Sequence, residues 1–335
     1  MAQSTSVPRV RLLVGPGTLH SQGADRLDVV RYTEARSGRP RLTGDQLIAA
    51  LPETAQFAQV QVDEGNPHEM GTPEDLLSLA QHVEALLSRP TVDGLVFVQG
   101  TNSIEETAYF LNLTVRSPKT VVITGAQRPF TALGTDGPWN LINALRVAGD
   151  PVARGKGVLV VTNDEINAAR EVTKTHTYRL QTFRSRDLGV LGYADADRIV
   201  FYRAPVRRHT VDSEFELPGI ERLPRVDVLY VHAGARPDLA RAAVSLGAEG
   251  LVIAGTGAGS TAGLREELAA IASEGVLVVR SARVGEGRVL QDDNWQEPGM
   301  VAADNLIPQK AALLLTLALT RTRAPDEIQR MFDEY

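Results

Sequence analysis

Residues 94–114 read Gly-Leu-Val-Phe-Val-Gln-Gly-Thr-Asn-Ser-Ile-Glu-Glu-Thr-Ala-Tyr-Phe-Leu-Asn-Leu-Thr. The first five form a short apolar run, the pattern of a strand buried on both faces, and residues 104–114 carry apolar side chains at helical spacing. Gln99, Gly100, Thr101 and Asn102 lie between them as the polar turn of one strand-to-helix unit. The same unit recurs outward along the chain. Residues 10–14, 120–124 and 157–161 predict further Val-, Ile- and Leu-rich strands, and residues 73–88 and 137–148 further helices. The first of these helices opens with Pro73, Glu74 and Asp75 after Thr72, a helix-start signature. Strand and helix in alternation imply an α/β domain around a mainly parallel sheet.

Around residues 204–224 the periodicity stops. Arg207-Arg208-His209, Pro205, Pro218 and Pro224 read as a solvated interdomain linker. Beyond it, strands at 226–231, 250–254 and 275–279 alternate with helices near 238–246, 264–273 and 309–319. The expected organisation is a larger N-terminal α/β catalytic domain over residues 8–203, the linker, and a smaller C-terminal α/β domain over 225–335. Two domains also suit 335 residues, more than one hydrophobic core usually serves.

Composition narrows the function. A net charge of −6 argues against nucleic-acid binding, which needs a basic face. The absence of cysteine excludes disulfides, thiolate catalysis and Cys-ligated metals. No stretch is long and apolar enough to cross a bilayer, and residues 1–7 lack the apolar core of a secretory signal, so a cytoplasmic location is expected. The histidines, at positions 20, 68, 82, 176, 209 and 232, show no metal-ligand spacing. Gly15-Pro16-Gly17-Thr18 has neither a dinucleotide nor a P-loop pattern, and no G-x-S-x-G elbow is present. Neither a metal nor an organic cofactor is expected.

In open α/β sheets, functional groups gather on loops at the carboxyl ends of strands. That rule selects Gly15-Pro16-Gly17-Thr18 after residues 10–14, Gln99-Gly100-Thr101-Asn102 after residues 94–98, and Val172-Thr173-Lys174-Thr175. Taken singly, each has a plain reading: a turn, a helix cap at Thr101 or Asn102, a solvated lysine. Together they supply two hydroxyls and a potential base. A hydroxyl attacks an amide only when its proton is taken, and a lysine kept neutral by desolvation can take it. The set fits amide hydrolysis without a cofactor.

Gly15-Pro16-Gly17-Thr18, the run from Gly100 to Tyr109, Gly125-Ala126-Gln127-Arg128-Pro129, Asp136-Gly137-Pro138-Trp139-Asn140-Leu141, Val172-Thr173-Lys174-Thr175 and Asn305-Leu306 through Ala311 together resemble the successive motifs of bacterial L-asparaginases. The resemblance runs in order over essentially the whole chain. It implies that Thr18 forms the acyl-enzyme, that Tyr32 activates it, and that Thr101 and Lys174 are the second threonine and its lysine. It also implies that the Ala126 carbonyl lies near the scissile amide nitrogen. Family members have a larger N-terminal and a smaller C-terminal α/β domain. They assemble as homotetramers of two intimate dimers, each site closed by the neighbour's C-terminal domain, here through Gln291-Asp292-Asp293-Asn294.

The chain departs from the family where the substrate is recognised. The Ser-Gln pair that holds the substrate's α-carboxylate and amino group falls on Pro67-His68, and the aspartate after the second threonine is Asn102. Thr256-Gly257-Ala258-Gly259-Ser260 stands where the partner's Asn-bearing loop is usual. Three readings stay open: hydrolysis of L-asparagine to aspartate and ammonia, the same chemistry on a carboxamide lacking a free α-ammonium, and a ligand-binding protein without turnover. Asn102 is expected to weaken recognition of an α-ammonium and, by removing a negative neighbour, to lower the Lys174 pKa.

Overall fold

The computed structural model describes residues 7–63, 70–291 and 299–335. Pro67, His68 and residues 292–294 lie outside this range. The chain divides into two compact units that meet at Ser213 and Glu214.

The first unit holds strands β1 (Arg9–Val14), β2 (Gln59–Asp63), β3 (Gly94–Val98), β4 (Thr120–Thr124), β5 (Val158–Thr162), β6 (Glu165–Ala168), β7 (Thr173–Lys174), β8 (Phe183–Arg184), β9 (Gly192–Ala194) and β10 (Ile199–Phe201). Its helices are α1 (Glu34–Ser37), α2 (Gly44–Ala50), α3 (Pro73–Leu87), α4 (Ile104–Thr114) and α5 (Gly137–Gly149). Eight strands form one sheet in the order β10-β9-β6-β5-β4-β3-β1-β2, while β7 and β8 pair separately. From β2 to β5 every neighbour is parallel. Asn163 and Asp164 then turn the chain back with positive φ (53° and 63°), which the short side chains of Asn and Asp tolerate in a tight hairpin. The remaining pairs, β5 to β6, β6 to β9 and β9 to β10, are antiparallel.

The central strands β3, β4 and β5 are buried at every position, as their unbroken apolar runs require. Val10, Leu12, Val96, Val98, Val122, Leu159 and Val161 pack with Leu47 of α2 and with Leu141, Ala144, Leu145 and Ala148 of α5. Strand side chains alternate between faces, so α3 and α4, which pack on β3 and on β4 and β5, cover the opposite side. Thr72 caps α3 as its sequence announces: its hydroxyl accepts from the Asp75 N–H at 3.2 Å.

The second unit carries the parallel sheet β11 (Val226–Tyr230), β12 (Gly250–Gly255), β13 (Leu277–Ala282) and β14 (Met300–Ala302), in that spatial order. Helices α6 (Asp238–Ser245), α7 (Arg265–Ser273), α8 (Pro308–Leu319) and α9 (Pro325–Glu334) surround it. Both units are therefore α/β, the first larger and mostly parallel, as expected. No helix among the described residues is long and apolar enough to cross a membrane.

Differences from the sequence reading have local causes. The strand expected from 275 begins at Leu277 because Gly275 adopts φ 92° as it leaves α7, and the strand expected from 157 begins at Val158 because Gly157 stands at φ 75°. The Arg-Arg-His cluster is only partly solvated. His209 is buried, with Nδ1 2.9 Å from the Thr210 hydroxyl, and the Arg208 guanidinium donates to the Asp212 carbonyl.

One packing constraint gives a direct test. A Cβ on Gly94 would lie 2.0 Å from the Ala148 carbonyl oxygen, so α5 sits as close to β3 as a bare backbone permits. Gly94→Ala should cost ~1–3 kcal/mol by overpacking. Gly263→Ala, where a Cβ meets open space, should be neutral or slightly stabilising. Thermal melts of the two variants check this, and equal melting temperatures would refute the close-approach account.

Candidate active site

The site begins with backbone. The Gly15 N–H donates to the Val98 carbonyl at 2.8 Å, the Gly100 N–H to the Pro16 carbonyl at 2.8 Å, and the Gln99 N–H to the Thr124 carbonyl at 2.9 Å. The loops after β1, β3 and β4 thus continue the sheet's pairing beyond the strand ends. The approach is too close for side chains. A Cβ on Gly17 would stand 2.6 Å from the Gly100 nitrogen, and one on Gly125 2.5 Å from the Gln99 carbonyl oxygen. Glycine at these positions is a steric requirement.

These contacts bring Thr18 and Thr101 to one cavity of about 860 Å³, whose wall also includes Tyr32, Arg41, Asn102, Glu105, Gln127, Lys174 and residues 175–178. Thr18 and Thr101 are largely buried, at 8% and 6% exposure. The Thr18 hydroxyl donates to the Tyr32 phenol oxygen at 3.3 Å. The Lys174 amine donates to the Thr101 hydroxyl at 2.7 Å, and that hydroxyl donates onward to the Gln127 side-chain carbonyl at 3.4 Å. Thr18, Tyr32, Thr101, Asn102 and Lys174 all line this one cavity.

The segment that carries Tyr32 is closed at its base. His20, two residues past Thr18, is buried; its Nδ1 lies 2.8 Å from the Leu42 carbonyl, and the Leu42 N–H donates to the His20 carbonyl at 2.9 Å. Burial lowers the His20 pKa below its usual 6.5, which favours the neutral ring with its proton on Nδ1. Behind the loop after β4, Asp136 accepts the N–H groups of Gln127 (2.9 Å) and Arg128 (3.0 Å). Asn140 donates to the Gly125 carbonyl at 3.0 Å and accepts the Asn163 N–H at 2.8 Å. The Asp-Gly-Pro-Trp-Asn motif is therefore a brace for the Gly-Ala-Gln loop. Ala126 itself is buried in the core and is absent from the cavity wall.

Lys174 lies on the short β7–β8 ribbon. Burial lowers its pKa from the ordinary 10.5, and the negative charge of Glu105 pushes the other way. Here the sequence reading is incomplete. Asn102 is exposed on the wall, and although it brings no charge, a carboxylate still acts on Lys174 from Glu105. Glu105 is 7% exposed and accepts the Lys174 main-chain N–H at 2.5 Å. It was missed because an acidic residue in a first helical turn ordinarily reads as a favourable partner of the helix dipole. Nor do Thr101 and Asn102 cap α4: Ser103 holds the cap position, with no side-chain cap bond.

Among the described residues, no three His, Asp or Glu side chains gather into a metal-binding group.

Comparison with known proteins agrees along the whole chain. A family model described as Asparaginase, N-terminal, matches residues 9–207, and one described as Glutaminase/Asparaginase C-terminal domain matches residues 225–332. The chain is 43% identical over 339 residues to L-asparaginase 2 of Bacillus subtilis, covering 100% of this chain and 88% of that protein. It is 38% identical over 335 residues to L-asparaginase 2 of Escherichia coli, covering 98% and 94%. A glutaminase-asparaginase of Pseudomonas fluorescens matches at 37% over 340 residues, covering 99% and 91%. The crystal structure of a probable cytoplasmic L-asparaginase from Campylobacter jejuni aligns with a TM-score of 0.91 at 36% identity, covering 98% of this chain and 100% of that one. With both models matched in order and the glycine-stapled threonine loops at the strand ends, this chain belongs to the asparaginase family.

Proposed function

We propose that this chain hydrolyses L-asparagine to L-aspartate and ammonia through an acyl-enzyme on Thr18. The observation that carries the reading is the pairing of two hydroxyls with two different partners in one cavity: Thr18 with Tyr32, and Thr101 with Lys174. In the first half-reaction the Thr18 oxygen bonds to the amide carbon, its proton leaves through Tyr32, and the C–N bond breaks as the nitrogen departs protonated as ammonia. In the second, water adds to the ester, aspartate leaves, and the Thr18 hydroxyl is restored. In that second step neutral Lys174 accepts the proton of the attacking water through Thr101 and returns it to the departing Thr18 oxygen, and main-chain N–H groups of the loops stabilise the oxyanion. The fraction of neutral lysine grows with pH, and burial brings that rise below the range of an ordinary lysine.

A second reading keeps the chemistry and changes the substrate to a carboxamide without an α-ammonium. Asn102 favours it, because the cavity wall's acidic residue, Glu105, is already engaged by Lys174. The sequence resemblance supports an assembly of at least two chains, and the location we propose is cytoplasmic; the Haemophilus influenzae relative is by contrast named a probable periplasmic L-asparaginase.

Three outcomes follow. Thr18→Ala should lower kcat by at least ~10³-fold with an unchanged melt; an acyl adduct mapped by mass spectrometry to Thr101 would reverse the roles. Asn102→Asp should raise kcat/KM for L-asparagine relative to succinamate, since a carboxylate ~4 Å from an ammonium contributes up to ~4 kcal/mol at an effective dielectric of ~20 before desolvation. Equal changes on both substrates would show that position 102 does not read the amino group. Light scattering should find at least a dimer, and a fully active monomer would exclude a shared site.

A further inference from the structure

Glu105 is the second residue of α4, and its burial is unusual for a carboxylate, which is seldom enclosed without a partner. Its Oε2 accepts the main-chain N–H of Lys174 at 2.5 Å. The same residue's amine reaches the Thr101 hydroxyl at 2.7 Å. Alternate N–H groups of a two-stranded ribbon point away from the partner strand. In β7–β8 the Thr175 N–H bonds across the ribbon to the Thr182 carbonyl at 2.7 Å, and the Lys174 N–H turns outward to α4. β7 has only two residues, and the carboxylate ties it directly to α4.

We propose that Glu105 is a positioning residue for the reaction: it holds the main chain of Lys174 so that the amine reaches Thr101. The proposal rests on Thr101 and Lys174 belonging to the reacting centre. Of the titratable groups in the cavity wall besides Lys174, the N-terminal loop contributes Tyr32 and Arg41, the turn between β7 and β8 contributes His176 and Tyr178, and α4 contributes Glu105. The charge felt at Lys174 is that of Glu105. It opposes burial. With the charge intact, more of the lysine stays protonated at a given pH than burial alone would leave; with the charge removed, the neutral form is reached at lower pH.

Glu105→Gln keeps an oxygen acceptor and removes the charge, whereas Glu105→Asp keeps the charge and shortens the reach. In full-length protein carrying 13Cε-labelled lysine, with Lys174→Arg to assign the resonance, Lys174 should titrate at lower pH in Glu105→Gln than in the parent. The ascending limb of kcat/KM for L-asparagine should move with it. Glu105→Asp should titrate near the parent while kcat falls on the order of 10–100-fold, the effect of a misplaced base, with KM little changed. An unmoved Lys174 titration in Glu105→Gln would overturn the proposal. If that variant does not fold, a Glu105→Asp titration displaced from the parent's, or a Glu105→Asp kcat equal to it, would overturn it. The resonance is read without turnover. A parent that titrates as described but releases no ammonia from asparagine would therefore count against the asparaginase reading and leave the role of Glu105 standing.

Discussion

The approach of Gly17 to the Gly100 amide is the contact on which the site depends. A Cβ there would come within 2.6 Å of backbone nitrogen, and the alternatives are a displaced loop or a broken Gly100–Pro16 hydrogen bond. The contact lies where the sheet changes direction. β1 sits between β2 and β3, so the chain leaves β1 to one side of the sheet and later continues from β3 to the other. Loops that follow such neighbouring strands diverge and leave a crevice at their carboxyl ends. Here the crevice floor is two glycine-rich turns hydrogen-bonded to each other, and each presents one threonine.

Side chains delivered to one cavity by separate chain segments need support from behind, and the segments of this site have it. Asp136 and Asn140 brace the loop after β4 through its N–H and carbonyl groups. Gln99 reaches into α4 to donate to the Ser103 and Thr107 hydroxyls, both at 3.0 Å, which fixes the helix start beside Thr101. Lys174 is held by α4 in turn. The polar side chains of these motifs are spent chiefly on backbone groups, which orient loops more strictly than apolar contact does.

Much of this was legible in the sequence, for identifiable reasons. Unbroken runs such as residues 94–98 and 120–124 are apolar on both faces because helices cover both faces, and they were read to the residue. The half-exposed β2, the three-residue β9 and β10, and the polar-containing β6 carry no such signal. Helix α9 was overlooked although Ile328, Met331 and Phe332 mark one buried face, because its charged residues dominate the composition. In the site, the strand-end rule selects the segments of Thr18, Thr101 and Lys174, but Lys174 lies on a ribbon outside the main sheet rather than on a loop at a strand end. Glu105 required the structure: nothing in its spacing announces a hydrogen bond to a residue on another element.

The closure between His20 and Leu42 has a consequence for how this chain tolerates changes of length. The excursion between them is anchored along its first part, where the Gly23 N–H donates to the Thr131 hydroxyl and the Leu133 N–H to the Arg26 carbonyl. Its later part consists of α1, which buries no residue, and Gly38 in the left-handed conformation that ends it. Lengthening a closed loop costs slowly increasing entropy, about 0.6 kcal/mol for each doubling. Residues inserted around Gly38 would therefore leave the base of the loop, and Thr18 two residues before it, in place. That turn, in the segment between Thr33 and Arg41 of the cavity wall, is the natural point for grafting a peptide or an affinity handle.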